Sequence, residues 1–232
     1  MNTADKLSLP ETSAAPPAKC VRAKVRRTQI LDAAEHCFRA HGFHGTSIAD
    51  IARQARMSGG HIYHYFENKE AIINAIVQRD LERLVMVWAE LRASRDVAKA
   101  MVDLSAEGVK DTMDASWAGL QIEIAAESTR NPEVARIMRA ADCCCMASLA
   151  ETLRLVRQVN GKHDDEETLG MMVEIIAAMF EGLMMRVIRN PMINRDNMIL
   201  TVQRVMRRII DSPDWEGLDE HSRNATSDSL PS

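Results

Sequence analysis

The sequence predicts an all-α protein, and three observations support this fold class. Hydrophobic residues make up 46% of the 232 positions, aromatic residues only 4%, and 15 are methionine. An aliphatic and Met-rich core favours packed helices over a β-sandwich or barrel. Apolar residues also recur at spacings of three and four through most of the chain, which is the period of an amphipathic helix. The length is sufficient to bury a substantial core.

Charge is distributed unevenly along the chain. The net charge is -4, which by itself does not suggest nucleic acid. Residues 19–70, however, contain nine Lys/Arg against five Asp/Glu, together with five of the seven histidines. From residue 71 onward there are nineteen Lys/Arg against twenty-six Asp/Glu. This asymmetry predicts a basic N-terminal module that faces nucleic acid, joined to an acidic body for sensing or assembly.

Residues 1–18 are rich in Pro, Ala, Ser and Thr and predict a flexible arm. A basic segment follows, and it contains Arg26 and Arg27 just ahead of the inward face of the first helix. These charges would neutralise phosphates or reach into a minor groove, although a solvated basic tail fits the composition equally well. Gly42 predicts the end of this helix, because glycine suits a left-handed cap.

Residues 46–67 predict two short helices joined by a tight turn. Ile48, Ile51 and two alanines share one stripe of the first helix, which Thr46 or Ser47 can cap. Ser58 is placed to cap the second helix. Ile62 and Phe66 face inward on that helix. Its outer surface is small or hydrogen-bonding, as a helix entering the DNA major groove requires, and consists of Gly59, Gly60, His61, Tyr63 and His64.

This region resembles the DNA-binding domain of the tetracycline-repressor (TetR) family. The resemblance covers residues 30–81 and is carried by TSIADIA followed by MSGGHIYHYFENKEAI. It implies phosphate contacts by the residues at Thr46, Tyr63, His64 and Lys69, and base-edge contacts by those at Gly59, Gly60 and His61. Gly59 departs from relatives that carry a larger side chain there, so one direct contact is in doubt. The full candidate set for DNA binding is Arg26, Arg27, Thr46, Ser47, Ser58, Gly59, Gly60, His61, Tyr63, His64 and Lys69.

Residues 68–211 predict a helical ligand-binding and dimerisation domain after a DNA-binding domain at 19–67. A long helix should begin after Asn68 and run to about Ser94. Further helices are expected at about 97–111, 113–128, 132–159, from Leu169 to Asn190 and from Arg195 to Ile210. Residues 212–232 are polar and predict a disordered tail.

The resemblance also implies a cavity in the body for an effector that lowers DNA affinity. Met-rich and aliphatic walls suit a small hydrophobic molecule of variable shape. Three aromatic residues give poor support for a cage around a quaternary ammonium group. The candidate lining residues, each of which also fits an ordinary core position, are Trp88, Met113, Trp117, Glu123, Met172, Met179 and Phe180.

The last two helices are more apolar than one solvent-facing surface requires. Pairing them with a two-fold mate would form a four-helix bundle, although the same residues fit the core of a single chain and both roles can hold. The candidate interface residues are Val173, Ile176, Phe180, Leu183, Val187, Val202, Met206 and Ile209.

Other features predict neither a membrane protein nor a metalloprotein. No stretch approaches the roughly 20 apolar residues that cross a bilayer, and the N-terminus lacks a signal-peptide core, so we expect a cytoplasmic protein, nucleoid-associated when bound to DNA. No cofactor is expected, and the paired histidines predict no metal. The run Cys143 to Cys145 lies on a helix, where adjacent side chains point about 100° apart and do not converge on one ion. Ordinary cysteines or a thiol-based oxidation switch both remain open.

These features predict a ligand-responsive transcriptional repressor that binds a palindromic operator on double-stranded DNA as a homodimer and is released by a small effector. One alternative is a DNA-binding protein of the same fold that acts architecturally or through a protein partner. Another is a redox-responsive regulator using Cys143–Cys145. We expect no enzyme, because the sequence shows no nucleophile and base pair, phosphate loop or catalytic metal spacing.

Overall fold

The structure is a computed structural model that describes residues 18–212. It is all-α, as predicted, and no strand occurs among these residues. The helices are α1 (Ala18–Gly45), α2 (Ile48–Gln54), α3 (Gly59–Tyr63), α4 (Lys69–Arg92), α5 (Val97–Thr112), α6 (Ala115–Ser128), α7 (Pro132–Val159), α8 (Glu166–Arg189) and α9 (Arg195–Asp211). The predicted arm up to residue 17 and the predicted tail from residue 213 lie outside the described residues.

Capping side chains set the helix starts near the predicted positions. The Asn68 side chain accepts a hydrogen bond from Ala71 N at 2.8 Å and begins α4. Asn131 caps α7, and Pro132 occupies its first turn, where a missing N–H costs nothing. Short polar side chains can satisfy free N–H groups at a helix start, which is why these boundaries were visible in the sequence.

The first helix differs from the prediction at both ends. Arg26 and Arg27 lie within α1 rather than ahead of it, since the helix already begins at Ala18. The minor-groove arm expected from the basic segment is therefore a helix over its described part. Gly42 has φ 70° and ψ 171°, so the helix breaks where predicted, and a further helical stretch then continues to Gly45.

Two hydrophobic clusters organise the fold. The first contains the inward faces of α1, α2, α3 and the start of α4, and it also includes Leu120 and Ile124 of α6 and Val134 of α7. The second cluster joins the distal part of α4 to α5, α7, α8 and α9. The boundary predicted between residues 67 and 68 stays a prediction, but the first cluster extends across it.

The second cluster corrects the predicted dimer interface. α4 packs along α7 and α5 packs along α9. Most of the expected interface residues point into this core and are buried within one chain, namely Val173, Ile176, Leu183, Val187, Val202, Met206 and Ile209. The Phe180 ring also packs inward, against Gly108 of α5. The approach is so close that a Cβ built on Gly108 would lie only 2.9 Å from Phe180 Cε1. These side chains hold the body together and are not free to bind a second copy.

In the range 18–212, every helix is either too short or too polar to cross a membrane.

Candidate nucleic-acid interface

Local caps begin both short helices of the helix-turn-helix. Ser47 Oγ accepts from Asp50 N at 3.1 Å, while Asp50 Oδ2 accepts from Ser47 N at 2.9 Å. These hydrogen bonds from Ser47 lower the pKa of Asp50. Arg56 adopts φ 54° and reverses the chain after α2. Ser58 Oγ then accepts from His61 N at 3.3 Å and starts α3.

Helix α3 separates a buried side from an open side, as predicted. Ile62 is fully buried and Phe66 nearly so. Tyr63 is 59% exposed, and both α3 glycines have open space where a Cβ would stand. His61 and His64 are also exposed. The outer surface therefore has no side-chain bulk at the start of the helix and several hydrogen-bond donors along its flank.

Tyr65 is a positioning residue that the sequence analysis did not identify. Its ring centroid lies 5.4 Å from that of His61 and 5.2 Å from that of His64, edge-on to the latter. Contacts between aromatic rings at these distances are favourable. The helical spacing of four between His61 and Tyr65 was the available signal.

Thr46 does not present its hydroxyl to the surface. The residue is 1% exposed, and Oγ1 donates to Gly42 O at 2.8 Å and to Cys37 O at 3.1 Å. Gly42 O lies at the kink of α1, and Cys37 O belongs to the regular part of the helix before it. The expected phosphate contact of the Thr46 side chain is replaced by this internal role.

Lys69 is likewise engaged inside the protein. Its Nζ donates to Phe43 O at 2.7 Å and to Thr46 O at 2.9 Å, and it lies 4.4 Å from the centroid of the Phe43 ring. The ammonium group thus fastens the start of α4 to the α1–α2 turn. This geometry opposes the phosphate contact that we expected for Lys69.

The basic start of α1 lies against the helix-turn-helix. The Arg27 guanidinium carbon is 4.5 Å from the centroid of the Phe66 ring. Arg26 donates to Gln29 at 3.0 Å, and Gln29 in turn donates to Ala55 O at 2.8 Å. Both arginines remain exposed, so positive charge is held beside the second short helix.

The end of α6 contacts the α1–α2 turn through two carboxylates. Phe43 N donates to Glu123 Oε2 at 3.4 Å, and His44 Nε2 lies 2.7 Å from Glu127 Oε2. Glu127 is 3% exposed. Although burial raises its pKa, hydrogen bonds from Arg130, His44 and Asn131 hold the pKa of Glu127 below its usual value. Glu123, predicted to line the effector cavity, instead contacts the DNA-binding module.

The remaining effector candidates lie in or on the body. Met113 and Met172 are buried in its core. Trp88, Met179 and Phe180 are partly buried and pack against that core. Trp117, also a candidate, stands half-buried in the first turn of α6. The side-chain nitrogen of Trp88 is inaccessible and has no acceptor among the described residues.

The cysteine run lies on α7. Cys143 and Cys144 are exposed, and Cys145 is partly buried. Burial raises the pKa of the Cys145 thiol, which makes it a poorer nucleophile at neutral pH. Across the described residues, no group of three or more His, Cys, Asp or Glu side chains is arranged to hold a metal ion.

The fold and this surface define a helix-turn-helix protein with an attached helical domain. Two family models match the chain. Residues 30–76 match the model described as bacterial regulatory proteins, tetR family, and residues 94–211 match the C-terminal domain of BetI-type transcriptional repressors. The chain therefore belongs to the TetR family and is a DNA-binding transcriptional repressor of that family.

Individual proteins are similar to this chain in sequence or in fold. The HTH-type transcriptional regulator UidR of Escherichia coli is 32% identical over 140 residues, which cover 59% of this chain and 68% of the relative. The structure of Salmonella enterica GusR superposes with a TM-score of 0.65 at 27% identity, covering 80% of this chain and 95% of GusR. FadR from Bacillus subtilis in complex with stearoyl-CoA has a TM-score of 0.66 at 18% identity, covering 81% of this chain and 99% of FadR, and shows the same fold.

Proposed function

We propose that this repressor binds a palindromic operator as a homodimer and is released by a small, largely apolar effector. The observation that carries the proposal is the open face of α3, where Gly59, Gly60, His61, Tyr63 and His64 are free of neighbours that would keep DNA away. A recognition helix needs such a face to approach base edges, and donors along its flank to hold phosphates. Ser47, Ser58 and Arg27 support this helix through the contacts described above, and Arg26 and Arg27 add charge beside it.

The exposed side of α8 is our candidate for the dimer interface. Met171, Ile175 and Met185 are 56%, 53% and 38% exposed. Ala178 and Gly182 are exposed between them, so the five positions alternate at spacings of four and three. This is the repeat of a helix seam, and the two small residues allow close approach of a partner helix. A two-fold axis through the seam would present two copies of α3 to half-sites about 34 Å apart.

Effector release requires a ligand that prefers a conformation with lower DNA affinity. Bacillus subtilis FadR, which shares this fold, was solved with stearoyl-CoA. In the present chain the body core is aliphatic and Met-rich, which supports an apolar effector. The contacts of α6 with His44 and Phe43 offer a direct path from the body to the helix-turn-helix, alongside α4.

The first experiment is footprinting of the purified protein on the promoter regions of its own and the neighbouring gene, at stated salt. A protected palindrome of two half-sites would support the repressor proposal and supply a probe for effector screening. If only non-specific binding is seen there and at distant candidate operators, the architectural alternative is preferred. An operator that no ligand releases would instead contradict the effector part alone.

A further inference from the structure

Trp88 is the feature of the body that its packing does not explain. Most buried polar side chains in this domain have partners. Ser105 donates to Val102 O at 2.6 Å, and Thr112 donates to Gly108 O at 2.7 Å. Thr152 donates to Ser148 O at 2.8 Å. Among the described residues, the only buried side-chain nitrogen or oxygen without a partner is Trp88 Nε1.

An indole N–H donates only, so the missing partner must be an acceptor. Buried donors without partners are rare in folded proteins, and each calls for an explanation such as a water or a ligand. Trp88 packs against the body cluster, whose buried members include Met101, Met113, Met172 and Met206. Flexible methionines adapt to an added apolar molecule more easily than branched side chains do. Trp88 therefore combines one unpartnered donor with a place against a Met-rich core.

The charge of the surroundings narrows the class of ligand. In the part of the body that the structure describes, the fully buried charged group is Arg157, and it is already held by Asp164 and by Ile209 O at 2.5 Å. Arg92, one turn after Trp88 on α4, is a partly buried cation, but Ser148, Thr152 and Glu151 already engage it, so an anionic ligand would have to displace these partners. A quaternary ammonium ion cannot accept a hydrogen bond, so it would leave the indole N–H unpaired.

We infer that the effector is an uncharged, mostly apolar molecule whose single acceptor, such as a carbonyl or ether oxygen, receives the hydrogen bond of Trp88 Nε1. This inference rests on the proposed function, because it describes the effector of the same regulator. Trp88 lies on α4, whose first residue, Lys69, fastens the DNA-binding module. A ligand bound to Trp88 therefore acts on the helix that joins the two clusters.

Nuclear magnetic resonance of the ¹⁵N-labelled full chain tests the inference with three probes. Each of the three tryptophans contributes one indole N–H signal, and W88F identifies that of Trp88 by its loss. Cyclohexanone has the required acceptor, cyclohexane has the same ring without it, and tetramethylammonium is a cation without any acceptor. We expect the Trp88 signal to move downfield saturably with cyclohexanone only.

The variant supplies a second readout, because Phe keeps an aromatic ring and removes the N–H. The dissociation constant for cyclohexanone should rise roughly 3- to 10-fold in W88F, which is the effect of one net hydrogen bond. Thr28→Val, which removes an exposed hydroxyl on α1, is the control and should bind cyclohexanone as the unmodified chain does. An unmoved Trp88 signal, an equal shift with cyclohexane, or equal affinity in W88F would overturn the inference. If W88F fails to fold, the titrations of the unmodified chain decide.

Footprinting of the same protein separates this inference from the proposed function. A protected operator with a silent Trp88 signal would reject the acceptor inference and leave the repressor proposal intact. If the Trp88 signal moves with cyclohexanone but the protein protects no operator, the acceptor inference stands and the repressor proposal is rejected.

Discussion

Tyr63 carries its hydroxyl on the open side of α3, and the residue is 59% exposed. Tyr63→Phe removes this donor while leaving the ring in place. Because phosphate contacts do not depend on sequence, specific and non-specific DNA affinity should fall together, by roughly 3- to 10-fold. Fluorescence anisotropy on operator and on random DNA measures both. A loss confined to the operator would mean that Tyr63 reads a base instead.

Lys69 leads to the opposite expectation. Lys69→Met removes an ammonium group that bonds Phe43 O and Thr46 O, so it should lower the free energy of unfolding by about 1–3 kcal/mol. The salt dependence of DNA binding should keep its slope. Urea unfolding and a salt titration test this together. A slope shallower by about one, with stability unchanged, would restore the phosphate contact implied by the family resemblance.

Sequence reasoning found α3's inward and outward sides because Ile62 and Phe66 differ so clearly from their neighbours. It misassigned Thr46 because a hydroxyl can donate to DNA or to the protein, and the sequence alone does not show that Gly42 O and Cys37 O lie within its reach. The role of Glu127 was hidden for a similar reason. Its partner His44 is 83 positions away in the sequence, and no local pattern reports such a contact.

At the scale of elements, α8 has two apolar sides. Ile175→Glu places a charge on the exposed side, so the chain should remain folded but become monomeric and bind operator more weakly. Val159→Glu, at an apolar site that is 66% exposed on α7, is the matched control and should stay dimeric. Sedimentation and circular dichroism measure the two properties. A dimeric Ile175→Glu protein would remove this side of α8 from the interface.

The helix itself was predictable, but its orientation was not. Leu183 and Ile175 are equally hydrophobic, and periodicity alone cannot say which stripe faces the chain's own core and which faces a partner. Burial distinguishes them, since Leu183 is 6% exposed and Ile175 is 53% exposed. The expected interface failed for this reason.

Arg157 ties three elements together near the end of α9. It pairs with Asp164 in the loop after α7 and donates to Ile209 O. Arg157→Ala should cost about 3–5 kcal/mol, because it leaves Asp164 and a carbonyl without their buried partner. Arg154→Ala breaks an exposed pair with Glu166 and should cost less than about 1 kcal/mol. Thermal unfolding measures both costs. If the two variants lose similar amounts of stability, burial does not strengthen the Arg157 contacts as proposed.

At the scale of the whole molecule, acid should destabilise the protein. Hydrogen bonds from Arg157 hold the pKa of Asp164 below its usual value, and Glu127 is shifted in the same direction. The unfolded chain therefore binds more protons than the folded chain as pH falls below about 4, and the contribution is lost as pH passes through the folded pKa values.

Two carboxyls between α1 and α4 oppose this trend. Burial raises the pKa of Glu35 and Asp80 despite the nearby Arg79, so protonating them offsets part of the acid destabilisation. Urea unfolding from pH 7 to pH 3 should show a declining free energy that is less steep in Asp164→Asn. A free energy that rises on acidification would show that Glu35 and Asp80 dominate.

Leu120, Ile124 and Val134 complete the core beneath the helix-turn-helix, although they follow it by more than 40 positions. A DNA-binding domain therefore cannot be exchanged between relatives by joining the two sequences at a single position. A hybrid joined at residue 67 would pack another protein's DNA-binding domain against this chain's α6. Side chains of mismatched volume at that contact would leave cavities or clashes. A hybrid that also carries the donor's residues at those three positions should be the better folded of the two. The core of the DNA-binding domain is thus encoded by two separate stretches of sequence.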